Sequence, residues 1–287
     1  MKLITHYPGA QQGDPHAGRN WRENYLTDSL YYSCRETSYT RQTYPSSLHY
    51  HDYYELVVFL SGEIRYICEG EAYSPRPGDV LLIPPGKLHM SAPEADSVRY
   101  VRHVFYFYPD AFDALGMRVL TDFAAQAQGL CVSHADVTEL LSQMDAALVA
   151  GDEASRALAL GLAIQIFHRF GRAAFGPGSA LPLPDNVLRI QRWLDENFAM
   201  VTGVAETAQH FYYSREYVSR LWRKHFNTTV ADYIQKRRVA HAQGLIAQGA
   251  ELSDACYQCG FGSMSTFIRA FRSVTGMTPS EYRRMRR

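Results

Sequence analysis

The hydrophobic period of this 287-residue chain changes once, at Tyr108-Pro109, and that change limits what each part can become. From about Tyr31 to Tyr108 the apolar residues come in short β-branched and aromatic runs, "YELVVFL", "IRYICEG", "VLLIPPG" and "VRYVRHVFYFY", broken by Gly, Pro and polar turn residues. Alternation at period two with such punctuation predicts antiparallel strands, and their number suggests a small barrel or sandwich. Beyond Pro109 the period is helical. "HADVTELLSQMDAALVA" sets Val137, Leu140, Leu141, Met144 and Leu148 along one face. "EASRALALGLAIQIFHRF" follows, with Leu158, Leu160, Leu162, Ile164, Ile166 and Phe167 spread wider than a half-exposed helix needs; a core helix and a dimer seam both fit that breadth.

Residues 171–184, "GRAAFGPGSALPLP", are rich in Gly, Pro and small side chains and have no apolar period; as an interdomain linker in flexible coil they would span roughly 20 Å. Everything after them reads as helix, with Asp185 or Asn186 as the first N-cap. The expected class is therefore α+β: an N-terminal arm and β-domain over 1–108, a helical segment over 109–170 suited to dimerisation, the linker, and an all-α domain over 185–287.

Net charge is zero over the whole chain, but the average conceals an asymmetry. Residues 185–287 hold 15 Lys and Arg against 9 Asp and Glu, and the preceding residues hold 14 against 20. A basic helical half suits a polyanion. The five cysteines are scattered and suggest no disulfide framework. The opening "MKLITHYPGAQQGDPH" lacks an apolar stretch of signal-peptide length, and no segment approaches a membrane span, so the expected setting is the cytoplasm.

The last hundred residues carry the most specific pattern. Around "CGFGSMSTFIRAFRSVTGMTPSEYR", Ala255, Cys256 and Cys259 share a buried stripe and Gly260 can end their helix with positive φ. The next helix, from about Ser263 to Ser273, buries Phe267, Phe271 and Val274 and turns Ser265, Arg269 and Arg272 outward. Gly276 closes it, and Thr278-Pro279-Ser280-Glu281 supplies a cap, a proline at the first helical position and a capping-box glutamate. The arrangement occurs twice. Behind Thr202 as cap, Val201, Val204, Ala208 and Phe211 line one short helix. Ser214 caps a second that buries Val218, Leu221 and Trp222 and exposes Glu216, Ser219, Arg220 and Arg223. The two outward-facing helices begin about 49 residues apart, joined by "VADYIQKRRVAHAQGLI" as one long helix. Two short helices about a tight turn, the second showing hydroxyl and guanidinium groups, is the layout of a helix-turn-helix DNA reader.

Residues 185–287 resemble the double helix-turn-helix domain of AraC/XylS-family bacterial transcription regulators, through "YYSREYVSRLWRKHF", "RRVAHAQGLI" and the Gly-Met-Thr-Pro-x-x-Tyr-Arg ending. That resemblance implies base contacts from Glu216, Ser219 and Arg220 in the first reader and from Met264, Ser265 and Arg269 in the second. Arg223, Lys224 and Arg272 are suited to phosphate. The chain departs from the family pattern at Thr207, where a large aliphatic is usual, at Tyr212, where the turn usually has Gly, and at Asn227, which replaces a helix-ending Gly. Cys256-x-x-Cys259 has redox or zinc spacing, but its place on a buried stripe favours a core role.

In the β-rich part, His49, His51 and Glu55 share a face in extended chain and His89 ends another strand-like run. Three imidazoles and a carboxylate suit a divalent transition metal. The spacings resemble the two cupin motifs, His-x-His-x3-Glu-x6-Gly over 49–62 and Gly-x5-Pro-x-Gly-x2-His over 78–89, with Pro93 where a later Asn is usual. Metal ligation, effector contact and satisfied structural histidines remain three open readings. Tyr53, Tyr54, Tyr66, Tyr106 and Tyr108 would suit stacking on a sugar or aromatic effector, and Arg35 would suit a carboxylate or hydroxyl.

Together these features lead to an expected ligand-responsive, sequence-specific DNA-binding regulator that is not an enzyme. It would need no cofactor beyond an optional metal in the cupin-like site, with double-stranded DNA, a small-molecule effector, a second copy of the chain and RNA polymerase as partners. The rival is a metal-dependent cupin enzyme with a DNA-binding tail; an effector-independent DNA binder is a third reading.

Overall fold

The computed structural model describes residues 22–40, 48–177 and 181–286. Residues 1–21, part of the expected N-terminal arm, residues 41–47 and 178–180, and Arg287 lie outside that description. The described residues divide into two compact units: 22–40, 51–87, 91–177 and 181, and 182–286 with the short segments 48–50 and 88–90.

The strands are β1 (Arg22–Thr27), β2 (Leu30–Thr40), β3 (Tyr54–Ser61), β4 (Ile64–Cys68), β5 (Glu71–Tyr73), β6 (Asp79–Ile83), β7 (His89–Pro93), β8 (Ser97–Phe107), β9 (Cys131–His134), β10 (Gly176–Pro177) and β11 (Leu181–Pro182). They form a seven-stranded sheet in the order β1-β2-β8-β3-β6-β9-β10 and a four-stranded sheet in the order β11-β5-β4-β7. The long β2–β8 ladder sets the pleat: Tyr32 opposes Phe105 and Cys34 opposes His103.

Because neighbours alternate, the large sheet has two apolar faces. Tyr31, Val57, Phe59, Leu81, Tyr100, Val104 and Tyr106 pack with Ile64, Tyr66 and Cys68 of the smaller sheet. Tyr32, Leu56, Val58, Leu82, Phe105 and Phe107 pack beneath α1 (Thr138–Ala150) and α2 (Glu153–Arg172), where Leu141, Met144, Leu162, Ile166 and Phe167 close the core. Of the expected small barrel or sandwich, the cupin-like barrel is not closed: among the described residues the ladders leave two separate sheets. The large sheet satisfies its outer face with helices and has no need to curl back on itself.

The breadth of apolar surface on α2 is mostly core. Ala159, Leu162, Ala163, Ile166, Phe167 and Phe170 are buried, and Leu158 is exposed. Asp152 caps α2 through the Ser155 amide at 2.9 Å. The stretch between β8 and α1 also differs from a plain helical segment. It runs through two 3₁₀ turns (Asp113–Leu115, Arg118–Ala124) into β9, which pairs with β6. Residues of the expected linker are likewise held as β10 against β9 and as β11 beside β5.

The second unit is helical: α3 (Asp185–Asn197), α4 (Val204–His210), α5 (Arg215–Phe226), α6 (Val230–Ala247), α7 (Leu252–Gln258), α8 (Met264–Thr275) and α9 (Pro279–Arg286). Three start positions move by a residue or so from their expected places. Pro184 is the N-cap of α3. Gly203 is that of α4, while Thr202 instead meets Glu206 through its amide (3.0 Å) and hydroxyl (3.2 Å). α8 starts after Ser263 and runs on to Thr275. Among the described residues no helix is long and apolar enough to cross a membrane.

Candidate nucleic-acid interface and effector site

Helices α4 and α5 and helices α7 and α8 are built alike. Each pair opens with a seven-residue helix and continues with one of twelve. The turns match bond for bond: the Tyr212 amide donates to Gln209 O and Tyr213 to Ala208 O, as Gly260 donates to Tyr257 O and Phe261 to Cys256 O. Tyr212 takes the left-handed φ of 55° that Gly260 takes at 79°. An L-residue pays a steric penalty there, so the turn is made in the first pair at some strain and with Tyr212 95% exposed. Ser214 and Ser263 cap the second helices through Tyr217 N (3.1 Å) and Thr266 N (3.3 Å). Asn227 (φ 46°) and Gly276 (φ 78°) end them.

This framework decides which side chains face outward. Val218, Trp222 and Phe226 are buried on α5, as Phe267, Ala270, Phe271 and Thr275 are on α8. Glu216, Arg220, Arg223 and Lys224 are exposed on α5 and Ser219 is half-buried; Ser265, Arg269 and Arg272 are exposed on α8 and Met264 is half-buried. Two other arginines of the unit are engaged internally. Arg237 Nε donates to Asp195 Oδ1 at 2.6 Å. Arg238 donates from Nε to Phe198 O (2.9 Å) and from Nη2 to Ala199 O (3.3 Å) and Val201 O (3.0 Å). Helical period alone does not separate the two groups, since both arginines sit in "QKRRVAHA" without a distinguishing pattern.

Cys256 and Cys259 are fully buried, and no cysteine of the chain is in a disulfide. Burial pushes the Cys259 thiol up to about 12, with the neighbouring Cys256 adding to the rise. Such thiols are core groups, without the thiolate character that redox chemistry or zinc ligation draws on.

In the first unit, several of the residues expected at an effector site gather around Tyr106. His51 lies face to face with Tyr53 (4.1 Å between centroids). Its Nδ1 is 2.8 Å from Tyr53 O and its Nε2 is 3.0 Å from Glu55 Oε2. The carbonyl can only accept, so Nδ1 donates to it, and Nε2 faces the carboxylate. Both ring nitrogens of His51 are thus engaged. Tyr53 and Tyr31 pack on Tyr106 at 4.9 and 5.5 Å, and the buried Arg35 bonds Ser33 Oγ (2.8 Å) with its guanidinium 6.0 Å from the same ring. Tyr108 donates to Asp52 (3.0 Å) and Tyr66 shares a hydrogen bond with Tyr100. Tyr54 is on the other side of the strand, stacked on Phe107.

His49 and His89 pair as an isolated antiparallel bridge through both backbone bonds (2.9 and 2.8 Å), with ring centroids 4.3 Å apart. Their donor nitrogens lie within 4.8 Å of each other, close enough to share an ion. A further group was not foreseen: Cys34, His103 and Asp145 also bring donor atoms within 4.8 Å. There the Tyr32 hydroxyl donates to Asp145 Oδ1 (2.5 Å) and lies 2.6 Å from His103 Nδ1, so it joins sheet to α1. Burial lowers the His103 pKa. The cross-strand pairing of Cys34 with His103 needs a register that the sequence does not display, which is why this group escaped notice.

Residues 30–167 match the family model described as the AraC-like ligand binding domain, and residues 207–285 match that of a helix-turn-helix domain. The arabinose operon regulatory protein of Salmonella typhimurium is 26% identical over 234 residues, covering 80% of this chain and 83% of that protein. The HTH-type transcriptional activator RhaS of Enterobacter sp. is 27% identical over 254 residues, covering 83% and 87%. Among solved structures, ToxT from Vibrio cholerae aligns at 14% identity over 90% of this chain and 98% of its own, with a TM-score of 0.38. A ligand-binding domain followed by a helix-turn-helix domain defines a ligand-responsive, DNA-binding transcriptional regulator. The chain belongs to the AraC family of such regulators.

Proposed function

We propose that α4–α5 and α7–α8 are two helix-turn-helix readers, with α5 and α8 entering successive major-groove segments of one duplex. The observation that carries this reading is the repeat: the same cap, turn and helix length set Arg220 and Arg269 at the same place on an outward face. Arg220 and Arg269 read base edges, joined by Glu216 and Ser219 in the first reader and by Met264 and Ser265 in the second. Arg223, Lys224 and Arg272 hold phosphate and fix register. Selection of bound duplexes from a random pool tests this: two conserved segments about one helical turn apart are expected, and a single segment would refute the two-reader assignment.

The effector site centres on Tyr106, with Arg35, His51, Tyr53 and Glu55 as contacts and His49 and His89 as further candidates. Hydroxyl-bonding groups beside aromatic faces suit a sugar or a comparable polyhydroxy metabolite, a class consistent with a relative named for the arabinose operon. No cofactor is required in this reading, although His49 and His89 offer imidazoles to a divalent ion. Residues 109–170 provide the dimer contact, RNA polymerase is the downstream partner, and the cytoplasm is the setting. Effector binding then acts on DNA affinity as a coupling free energy between two sites. A thermal-shift screen of sugars and other small metabolites, repeated with Arg35→Ala and Tyr53→Ala, tests the effector assignment: a stabilising compound whose effect both substitutions abolish supports it.

A further inference from the structure

Arg238 lies in the middle of α6, the helix that joins the two helix pairs. Its three hydrogen bonds end on carbonyls of the chain between α3 and α4, at Phe198, Ala199 and Val201, which is the lead-in to the first pair. The same guanidinium carbon stands 5.8 Å from the ring centroid of Phe261, in the turn of the second pair. Burial lowers its pKa while the Cys259 thiol opposes that shift, so the group is partly withdrawn from water against the second pair.

The two pairs also meet directly at this point. A Cβ built on Gly260 would fall 1.9 Å from Ala199 O and 2.6 Å from Ala199 C. Backbone therefore touches backbone where Gly260 turns, and only a residue without a side chain permits it. The carbonyls that Arg238 gathers belong to the segment seated on Gly260. One side chain thus holds the lead-in of the first pair against the turn of the second.

We infer that Arg238, acting with the Ala199–Gly260 contact, is the positioning residue that fixes α5 relative to α8, and so sets the spacing at which one chain reads two segments of DNA. This rests on the two-reader assignment above. Arg238 touches no base in this role; it acts through the placement of Arg220 and Arg269. A rigid junction lets the second helix bind without a further loss of freedom, whereas a loosened one forfeits that advantage only when both helices must bind together.

The test uses full-length chain and a duplex selected from a random pool by the wild-type protein, together with two versions in which one or the other recognised segment is scrambled. Wild type is expected to lose about tenfold or more on each scrambled duplex. Arg238→Gln is expected to bind the intact duplex about tenfold more weakly, to match wild type on both scrambled duplexes, and to tolerate a one-base-pair insertion between the segments that wild type rejects. Gly260→Ala leaves the net charge unchanged and should show the same pattern, separating loss of positioning from loss of a positive charge. Urea melts confirm that each variant is folded. Equal weakening of Arg238→Gln on all three duplexes, or unaltered binding to the intact one, overturns the inference. Wild-type binding insensitive to scrambling of one segment refutes the two-reader assignment itself, a distinguishable result.

Discussion

Arg220 and Arg269 occupy the same position, the sixth residue, of two twelve-residue helices that are each capped by a serine and each ended by a left-handed residue. Identical local construction puts both guanidinium groups on exposed faces opposite a row of buried aromatic and aliphatic side chains. Replacing either by Ala is expected to cost about 1–3 kcal/mol on the selected duplex and to relax base preference within one segment only. Arg223→Ala and Arg272→Ala should instead weaken binding to all sequences alike and lower the salt dependence by about one ion each. Binding isotherms at several salt concentrations separate the two behaviours.

Tyr212 and Gly260 sit at the same point of their turns, both at positive φ, but only one is a glycine. Tyr212→Gly removes the strain of a side chain in the left-handed region and exposes no core, since the ring is already in water. A gain of a few tenths to about 1 kcal/mol in urea unfolding is expected after the greater freedom of glycine in the unfolded chain is counted. Loss of stability in this variant would show that the Tyr212 ring makes a contact of its own.

Ser214 and Ser263 each satisfy an otherwise unpaired amide at a helix start. Truncation of either to Ala should lower stability by about 1 kcal/mol, measured as a shift in denaturation midpoint at constant slope.

Burial raises the thiols of Cys256 and Cys259, the latter to about 12, so at pH 8 both stay protonated as well as inaccessible. Alkylation of the native protein is expected to mark the half-buried Cys34 and Cys131 first and to leave Cys256 and Cys259 unmodified until urea is added. Mass spectrometry of peptides from a time course reads this directly.

His103 illustrates a pH effect whose sign follows from its surroundings. Burial lowers its pKa, although Asp145 opposes the shift, and the neighbouring groups are Tyr32, Cys34 and Asp145. The folded protein therefore resists a proton that the unfolded chain accepts below about pH 6.5. Stability from this site is complete above that pH and is lost as pH falls toward the depressed value. Thermal melts between pH 7.5 and 5.5 should show the decline, and His103→Gln should flatten it.

Helix-forming signals were legible where the local sequence determines the outcome. The caps at Ser214 and Ser263, the glycine turn at 260 and the Thr278–Glu281 box are short-range features, and each appears with its hydrogen bonds in place. The strands could be read from alternation, yet the failure of the sheet to close could not. That outcome depends on Tyr32, Phe105 and Phe107 finding Phe167 and Leu141 on helices far along the chain. For the same reason the grouping of Arg35, His51 and Tyr53 about Tyr106 was only partly visible. Parity placed His51 with Glu55, and Tyr53 lies between them in the same segment, but the Tyr106 and Tyr31 rings come from β8 and β2. Arg238 shows the remaining limit: a helical period gives the face of an arginine, not the carbonyls waiting opposite.

The central claim, that α5 and α8 read two segments of one duplex, is tested most directly by footprinting the full-length protein with hydroxyl radicals on a selected duplex. Two protected patches about one helical turn apart are expected, with Arg220→Ala weakening one and Arg269→Ala the other. A single patch, or two patches that fade together in both variants, would contradict it.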